Sequence, residues 1–305
     1  MIRMKDGRWW LLFILVYISC KGNEEVPDRF DRGTIHISCD ETFRPVIEQQ
    51  VRVYEAEFPN THIIVHYKPE AECLRDLGVD SIRMVIATRA PSPQERLFII
   101  DSLQTEPRQA VVAHDLIAVI VHPSSPDTIF NMQEIRDLLT GKAKENLIPV
   151  FDGLRATSTV RFMLDSVLKG GVFGKNVAAV ESSTRVIEYV SETPEAVGFV
   201  GFSWIGNSDD PVQLANRKKI KMAWMESVDS AGFYIHPSQF ILYTKSYPMV
   251  RDLVYILKEK HTGLGRAFAN FLESMRGQLV FRRAYIKPLI YPNYLREAML
   301  KDSIN

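Results

Sequence analysis

Short apolar, β-branched runs alternate along the chain with segments in which apolar residues recur at helical spacing. The first run, Thr34–Ser38, predicts a strand, and the segment after it predicts a helix that begins at Pro45. A proline at the first helical position is pre-organised and removes no hydrogen-bond donor that the helix needs. The helical stripe behind it consists of Ile47, Val51, Tyr54 and Phe58.

The same alternation continues to the end of the chain and predicts an α/β fold with mainly parallel sheets, since near-continuous apolar strands are typical of sheets covered on both faces. Further predicted strands are Thr61–Tyr67, Met84–Ala87, Gln109–Ala113 and Leu116–Val121. Further predicted helices are Met132–Leu139, Val160–Leu168, Val250–Lys258 and Leu264–Met275. A chain of this length exceeds the size at which a single core stops growing, which favours two lobes.

The first twenty residues have the layout of a secretory signal. Three basic residues precede the apolar run Trp9–Ile18, which is too short to span a bilayer as a helix. The run ends in Tyr17-Ile18-Ser19-Cys20, which resembles a bacterial lipobox but has Tyr17 where Leu or Val is usual. We predict a signal peptide over 1–19, a lipid on Cys20 and a polar tether over 20–33, with plain secretion or a retained anchor as alternatives.

Charge and cysteine content exclude several functional classes. The chain has 37 basic and 37 acidic residues and no long basic stripe, so we expect no nucleic-acid partner. The short basic run 217–221 is interpreted as a solvated turn. Beyond Cys20 only Cys39 and Cys73 remain, too few for a zinc site of the CxxC kind; they form one disulfide or stay buried as thiols.

Common catalytic signatures for nucleophiles, nucleotides and zinc are absent from the sequence. His62 and His66 lie four residues apart, but on a strand this spacing separates them by about 13 Å, too far to share a metal. Gly263-Leu264-Gly265 is interpreted as the loop before a helix rather than a dinucleotide fingerprint. Asp209-Asp210, beside Pro211, is interpreted as a polar turn rather than a catalytic carboxylate pair.

Two loops that combine hydroxyl groups with a helix start are candidates for binding an anion. They are residues 40–45, after the first strand, and residues 152–159, before the helix near Val160. Unpaired N–H groups at a helix start favour negative charge, and the carboxyl ends of strands are the usual ligand sites of open α/β sheets. The alternative for Thr42 and Ser158 is that each only caps its helix.

The chain from about residue 34 to residue 290 resembles the phosphate-binding components of bacterial ABC importers, which have a type II periplasmic-binding-protein fold. The passages that carry the resemblance are Thr42-Phe43, Val85–Arg89, His114–Pro123, Met132–Lys142, Ser158-Thr159, Ala196–Gly201 and Gly263–Gln278. The resemblance implies two lobes with two hinge crossings: lobe I from 34–113 plus 226–305, and lobe II from 114–225.

The same resemblance implies the ligand-binding residues, which are Thr42, Phe43, Thr88, Arg89, Ser158 and Thr159. Two departures concern specificity. The family commonly has S-G-T where this chain has Ser158-Thr159, and it often has an Asp near the turn that Thr88 occupies here. For Arg89 two roles stay open: a bidentate clamp on the anion, or an ion pair with an acid such as Glu95 away from the cleft.

The predicted function is therefore capture of phosphate or a related oxyanion between the lobes and its delivery to an ABC permease, by a lipid-anchored, monomeric protein of the cell envelope facing the periplasm. No cofactor, metal or covalent step is expected, and the chain is predicted not to be an enzyme. One alternative is a sensor or scaffold lipoprotein with the same fold. Another is an envelope hydrolase that uses Asp152 or Asp210.

Overall fold

The computed structural model describes residues 28–104, 106–143, 146–153 and 157–290 of the 305-residue chain. The predicted signal peptide, Cys20 and most of the predicted tether lie outside these residues. Across the described part, no helix combines the length and the apolar character that crossing a bilayer requires.

The described residues contain thirteen strands and ten helices. The strands are β1 Arg32–Asp40, β2 Asn60–Lys68, β3 Ile82–Ala87, β4 Arg108–Val121, β5 Ile129–Phe130, β6 Ile148–Phe151, β7 Ala178–Ala179, β8 Ala196–Gly201, β9 Lys221–Met222, β10 Trp224–Glu226, β11 Tyr234–Ile235, β12 Val250–Leu257 and β13 Lys287–Pro288. The helices are α1 Arg44–Glu57, α2 Glu70–Arg75, α3 Pro93–Leu103, α4 Met132–Thr140, α5 Ser158–Phe162, α6 Ser183–Glu192, α7 Pro211–Lys219, α8 Gln239–Thr244, α9 Leu264–Glu273 and α10 Met275–Arg283.

One long sheet runs through the molecule in the order β2-β1-β3-β12-β4-β8-β6-β7, and β9 and β13 also pair with β4. Its outer strands are parallel: β1 pairs with β2 and β3, and β6 pairs with β7 and β8. In the middle, β12 is antiparallel to β3 and β4, and β4 is antiparallel to β8. Within this sheet, parallel pairing is thus confined to the two ends, each built from strands that alternate with helices.

Strand β4 joins the two halves of the sheet. Its first part, from Arg108 to Leu116, pairs with β12, whereas Ile117 to Val121 pairs with β8. A continuous strand therefore runs where the sequence suggested two separate runs, Gln109–Ala113 and Leu116–Val121. The first crossing between the predicted lobes lies within this strand.

Two large apolar clusters correspond to the two halves. Ile37 and Phe268 belong to the first, and Val119 and Phe199 belong to the second. The second cluster also contains Ile235, Leu242, Tyr247 and Met249, which the predicted boundaries assign to lobe I. Because these side chains pack with lobe II, we propose that the second crossing lies near Val250 rather than near residue 226.

One predicted helix is wrong. Residues 250–257 form β12, between β3 and β4, instead of a helix over Val250–Lys258. Short apolar runs do not distinguish a buried strand from a buried helix by periodicity, and burial of nearly the whole run on both faces decides for the strand here. The predicted helix at Val160 is also modified: α5 begins at Ser158, and a π-helical turn, Met163–Val167, continues it.

Candidate functional site

The two loops identified as anion-binding candidates meet at the centre of the molecule. Thr42 lies in a 3-10 turn, Glu41–Phe43, directly after β1, and Ser158 is the first residue of α5. Both side chains are buried, and their Oγ atoms are 3.2 Å apart. The fold thus brings together hydroxyl groups from lobe I and lobe II that are more than a hundred residues apart in sequence.

A buried arginine completes this group. Nη1 of Arg251, on β12, donates to Oγ of Ser158 at 2.9 Å and to Oγ1 of Thr159 at 3.3 Å. Its Nη2 donates to Oδ2 of Asp115, on the neighbouring strand, at 2.9 Å. The guanidinium also lies 5.0 Å from the centre of the Phe43 ring. Three of the six predicted site residues, Phe43, Ser158 and Thr159, therefore contact one buried cation, and a fourth, Thr42, contacts Ser158.

Sequence reasoning missed Arg251 and Asp115 because it predicted a helix over Val250–Lys258 and treated Asp115 as part of a family motif. The signal was present in the chain: each is a charged residue at the edge of a long apolar run, and the two runs pair. Buried charges in proteins are generally paired, so two such residues in facing strands are candidates for one buried ion pair.

Further hydrogen bonds join the lobes around Thr42. The carbonyl oxygen of Thr42 accepts from Oγ of Ser203 at 3.1 Å and from Nε1 of Trp204 at 3.0 Å. Oγ of Ser183, at the start of α6, donates to the carboxylate of Glu41 at 3.0 Å. The structure therefore shows the lobes in contact across the predicted cleft.

Thr88 lies in a second group of contacts between the lobes. Its N–H and hydroxyl both donate to Oε1 of Glu70, at 2.8 and 2.5 Å. Arg161, on α5 in lobe II, donates to Oε2 of Glu70 at 2.5 Å and to Oγ1 of Thr88 at 2.5 Å. Burial acts to raise the pKa of Glu70, but the hydrogen bonds and charge of Arg161 outweigh it and lower that pKa. Glu70 is therefore an ionised, buried carboxylate balanced by a cation of the opposite lobe.

Of the two roles left open for Arg89, the structure shows the ion pair with Glu95. Its guanidinium forms a two-pronged ion pair with Glu95, with distances of 2.6 and 2.8 Å. Glu95 also closes the capping box of α3 with Ser92, so the pair fixes the start of that helix. The structure does not bring Arg89 into the group around Ser158.

Several other carboxyl groups lie close to the same centre. Burial, and then the charge of Glu70, raises the pKa of Asp40 to about 7. Burial, and then the charge of Glu41, raises the pKa of Asp152 to about 6. Among the described residues, Oδ2 of Asp40, Oδ1 of Asp115 and Oδ1 of Asp152 are buried without a hydrogen-bond partner. The site thus combines hydroxyl donors and an arginine with carboxylate oxygens that lack donors.

One group of side chains elsewhere has the spacing of metal ligands: Asp28, Glu259 and His261. Both oxygens of Glu259 accept backbone N–H groups at the start of α9, from Gly263, Gly265 and Arg266. This is a carboxylate cap on a helix, and it confirms that the loop around Gly263 precedes a helix. We therefore assign the group a structural role.

The remaining candidates from the sequence have structural roles as well. Asp210 caps α7 by accepting the N–H groups of Val212 and Gln213, which confirms the turn. His66 pairs across strands with His36, nitrogen to nitrogen at 2.9 Å. Cys39 and Cys73 are both buried thiols without a disulfide, and burial raises the pKa of each.

Comparison with known proteins shows the family to which the chain belongs. The family model described as a PBP superfamily domain matches residues 26–276. A phosphate-binding protein PstS of Bacillus subtilis is 23% identical over 300 residues, covering 93% of this chain and 89% of that protein. The PstS of Borreliella burgdorferi is 20% identical over 287 residues, covering 88% and 93%.

Among solved structures, the chain is similar to a protein from Clostridium perfringens that is described as a phosphate ABC transporter substrate-binding protein and was solved with bound phosphate. The TM-score is 0.69 at 18% identity, with 85% of this chain and 100% of that chain covered. At this identity the likeness shows a shared fold.

Proposed function

The chain belongs to the PBP superfamily, and from this premise we propose that it is an extracytoplasmic binding protein that captures inorganic phosphate or a similar oxyanion between its lobes. Its fold is the predicted two-lobed, type II periplasmic-binding-protein fold. Transport proteins of the PstS type, to which the chain is similar along most of its length, are named for phosphate binding.

The observation that carries the proposal is the position of Arg251. Its Nη1 reaches hydroxyl groups of Ser158 and Thr159, and Ser158 in turn faces Thr42 across the lobes. Hydrogen bonds to an ionised group are about twice as strong as neutral ones, and a buried guanidinium beside three hydroxyl donors suits a small oxyanion. Thr42, Ser158, Thr159 and Arg251 are the proposed ligand-binding residues, with Phe43 packed against the guanidinium.

Thr88 has a different proposed part. Its hydroxyl group lies between Glu70 and Arg161. We therefore propose that Thr88 positions the ion pair that holds the lobes together and does not itself bind the ligand. Arg89, paired with Glu95, is proposed to stabilise lobe I.

The proposed cycle uses no covalent step. The lobes part along β4 and β12, and an oxyanion enters and replaces the direct contact between Thr42 and Ser158. It then accepts hydrogen bonds from both lobes and so favours the closed form. A lipid on Cys20 would hold the protein at the membrane, where the closed form would dock on an ABC permease.

Calorimetric titration of the purified full-length protein with phosphate, sulfate, arsenate and molybdate tests the proposal. We expect saturable phosphate binding that weakens about tenfold or more in Ser158→Ala and in Thr42→Ala, since each removes a hydrogen bond to an ionised group. Ser191→Ala, which removes a hydroxyl bonded only within α6, is the matched control.

Each outcome has a distinct meaning. Equal loss in the control variant would remove the assignment of Thr42 and Ser158. Preference for another oxyanion would change the ligand but keep the site. Absence of binding to any of the four would contradict the proposal and favour the sensor or scaffold alternative, while turnover of a phosphoester would favour a hydrolase.

A further inference from the structure

Only one of the two oxygens of the carboxyl group at the end of β1 has a hydrogen bond of normal geometry. Asp40 is 1% exposed, and its Oδ1 accepts the N–H of Thr42. Its Oδ2 has no hydrogen-bond partner of normal geometry among the described residues, although the hydroxyl group of Ser158 lies near enough to the carboxyl group to lower its pKa. An ionised oxygen buried without a donor is costly, whereas the same oxygen carrying a proton becomes a donor itself.

The groups that face Asp40 come from five parts of the chain. They are Cys39 on its own strand, Glu41 in the following turn, Glu70 and Cys73 on α2, the hydroxyl group of Ser158 on α5, and Arg251 on β12. Arg161 holds Glu70 in its ionised form, so Glu70 acts on Asp40 as a like charge. Arg251 is shared with Asp115 and with the hydroxyls of α5.

This balance leaves Asp40 about half ionised near pH 7, because burial and the charge of Glu70 together raise its pKa to about 7. Thr42 connects Asp40 to the proposed ligand site: its N–H binds Asp40 and its Oγ1 faces Ser158. An anion held between Thr42 and Ser158 therefore adds a second like charge beside the same carboxyl group, and a like charge disfavours ionisation.

We propose that Asp40 takes up one proton from solvent when the cleft captures its anion. The inference rests on the proposed function and deepens it. The proton binds to Oδ2, which changes from an acceptor without a partner into a donor that can face the anion or a hydroxyl group at its side. Capture of the anion and protonation of Asp40 then favour one another, as linkage requires.

The sign of the pH dependence follows. Ionised Asp40 opposes the anion, so affinity is highest below the pKa of the ligand-free protein and falls as the pH rises through it. With that pKa at about 7, affinity should be about tenfold weaker at pH 8 than at pH 6, relative to a variant that lacks the carboxyl group. The comparison with a variant is needed because phosphate itself titrates near neutral pH.

The test is titration of the full-length protein with inorganic phosphate at pH 8, in two buffers of different ionisation enthalpy. The difference in heat counts the protons taken up. We expect close to one proton for the wild type and close to none for Asp40→Asn, whose amide can still accept the Thr42 N–H. Asp210→Asn, which changes a carboxyl group that caps α7 away from the site, is the control and should keep the uptake.

An infrared difference spectrum of phosphate binding to the wild type gives a readout that does not need a folded variant. It should show the gain of a protonated carboxyl band at pH 8. Phosphate binding without proton uptake, without that band, or with uptake that survives Asp40→Asn overturns the inference while leaving the proposed function intact. Failure of the wild type to bind phosphate from pH 5 to 8 overturns both.

Discussion

Replacing Arg251 by Met should destabilise the protein strongly, because it leaves Asp115 as an uncompensated buried charge. The side chains of the pair are 2% and 0% exposed, and two guanidinium nitrogens reach Oδ2 of Asp115. Removing one partner of a buried ion pair costs about 3–5 kcal/mol. At about 2.1 cal/mol/K per residue, the unfolding entropy of this 305-residue chain corresponds to a fall in Tm of about 5–8 °C. Urea unfolding and calorimetry measure both quantities.

The double variant Arg251→Met with Asp115→Leu separates the charge from the packing. A well-packed apolar pair often replaces a buried ion pair at little cost, so the double variant should recover most of the lost stability and lie within about 2 kcal/mol of the wild type. It should not recover phosphate binding, since the cation is gone. A double variant no more stable than Arg251→Met, or a single variant that loses less than about 1 kcal/mol, would refute this reasoning.

Three further predictions concern the same centre. The pKa of Asp40 is raised in the folded state, so its contribution to the free energy of unfolding should be full below about pH 4 and lost as the pH rises to about 7. In urea unfolding, the free energy of unfolding of Asp40→Asn should therefore fall less between about pH 4 and 7 than that of the wild type. Gly201→Ala should weaken phosphate binding in calorimetry, because a Cβ at Gly201 would lie 2.5 Å from Nη2 of Arg251; unchanged affinity would contradict this. Arg161→Gln removes the cation that balances buried Glu70 across the lobes. In X-ray scattering, the radius of gyration of the phosphate-free variant should therefore exceed that of the wild type, and saturating phosphate should reverse the difference.

The parts of the fold that the sequence predicted correctly are those in which local pattern and tertiary environment agree. The proline at position 45 and the apolar stripe behind it predicted α1, which begins one residue earlier, at Arg44. The segment 250–257 failed for the opposite reason. The apolar residues Leu253–Leu257 are continuous rather than periodic, and only the position of the segment between β3 and β4 makes it a strand.

The site divides in the same way. Thr42 and Ser158 could be found because hydroxyl groups before helix starts have a local signature, and a family resemblance pointed to the same positions. Glu70 and Arg161 could not, because the pairing of each charge depends on contacts between distant segments. For Arg251 and Asp115 the sequence carries a signal, a charge at the edge of an apolar run, but it does not say which residue is the partner. No local pattern tells that the partner of Glu70 lies ninety-one residues away on the other lobe.

The two buried ion pairs of the site differ in what they can control. Arg251 and Asp115 lie on adjacent strands in direct register, so their pairing does not depend on the distance between the lobes. Arg161 and Glu70 come from different lobes, and opening the cleft would separate them and return Glu70 to water. A ligand shifts the equilibrium between open and closed forms only by its differential affinity for them. Since Arg161 and Glu70 already favour the closed form, the free energy that an oxyanion must add on closing is smaller, and weakening that pair should lower the apparent affinity without altering a single proposed ligand contact.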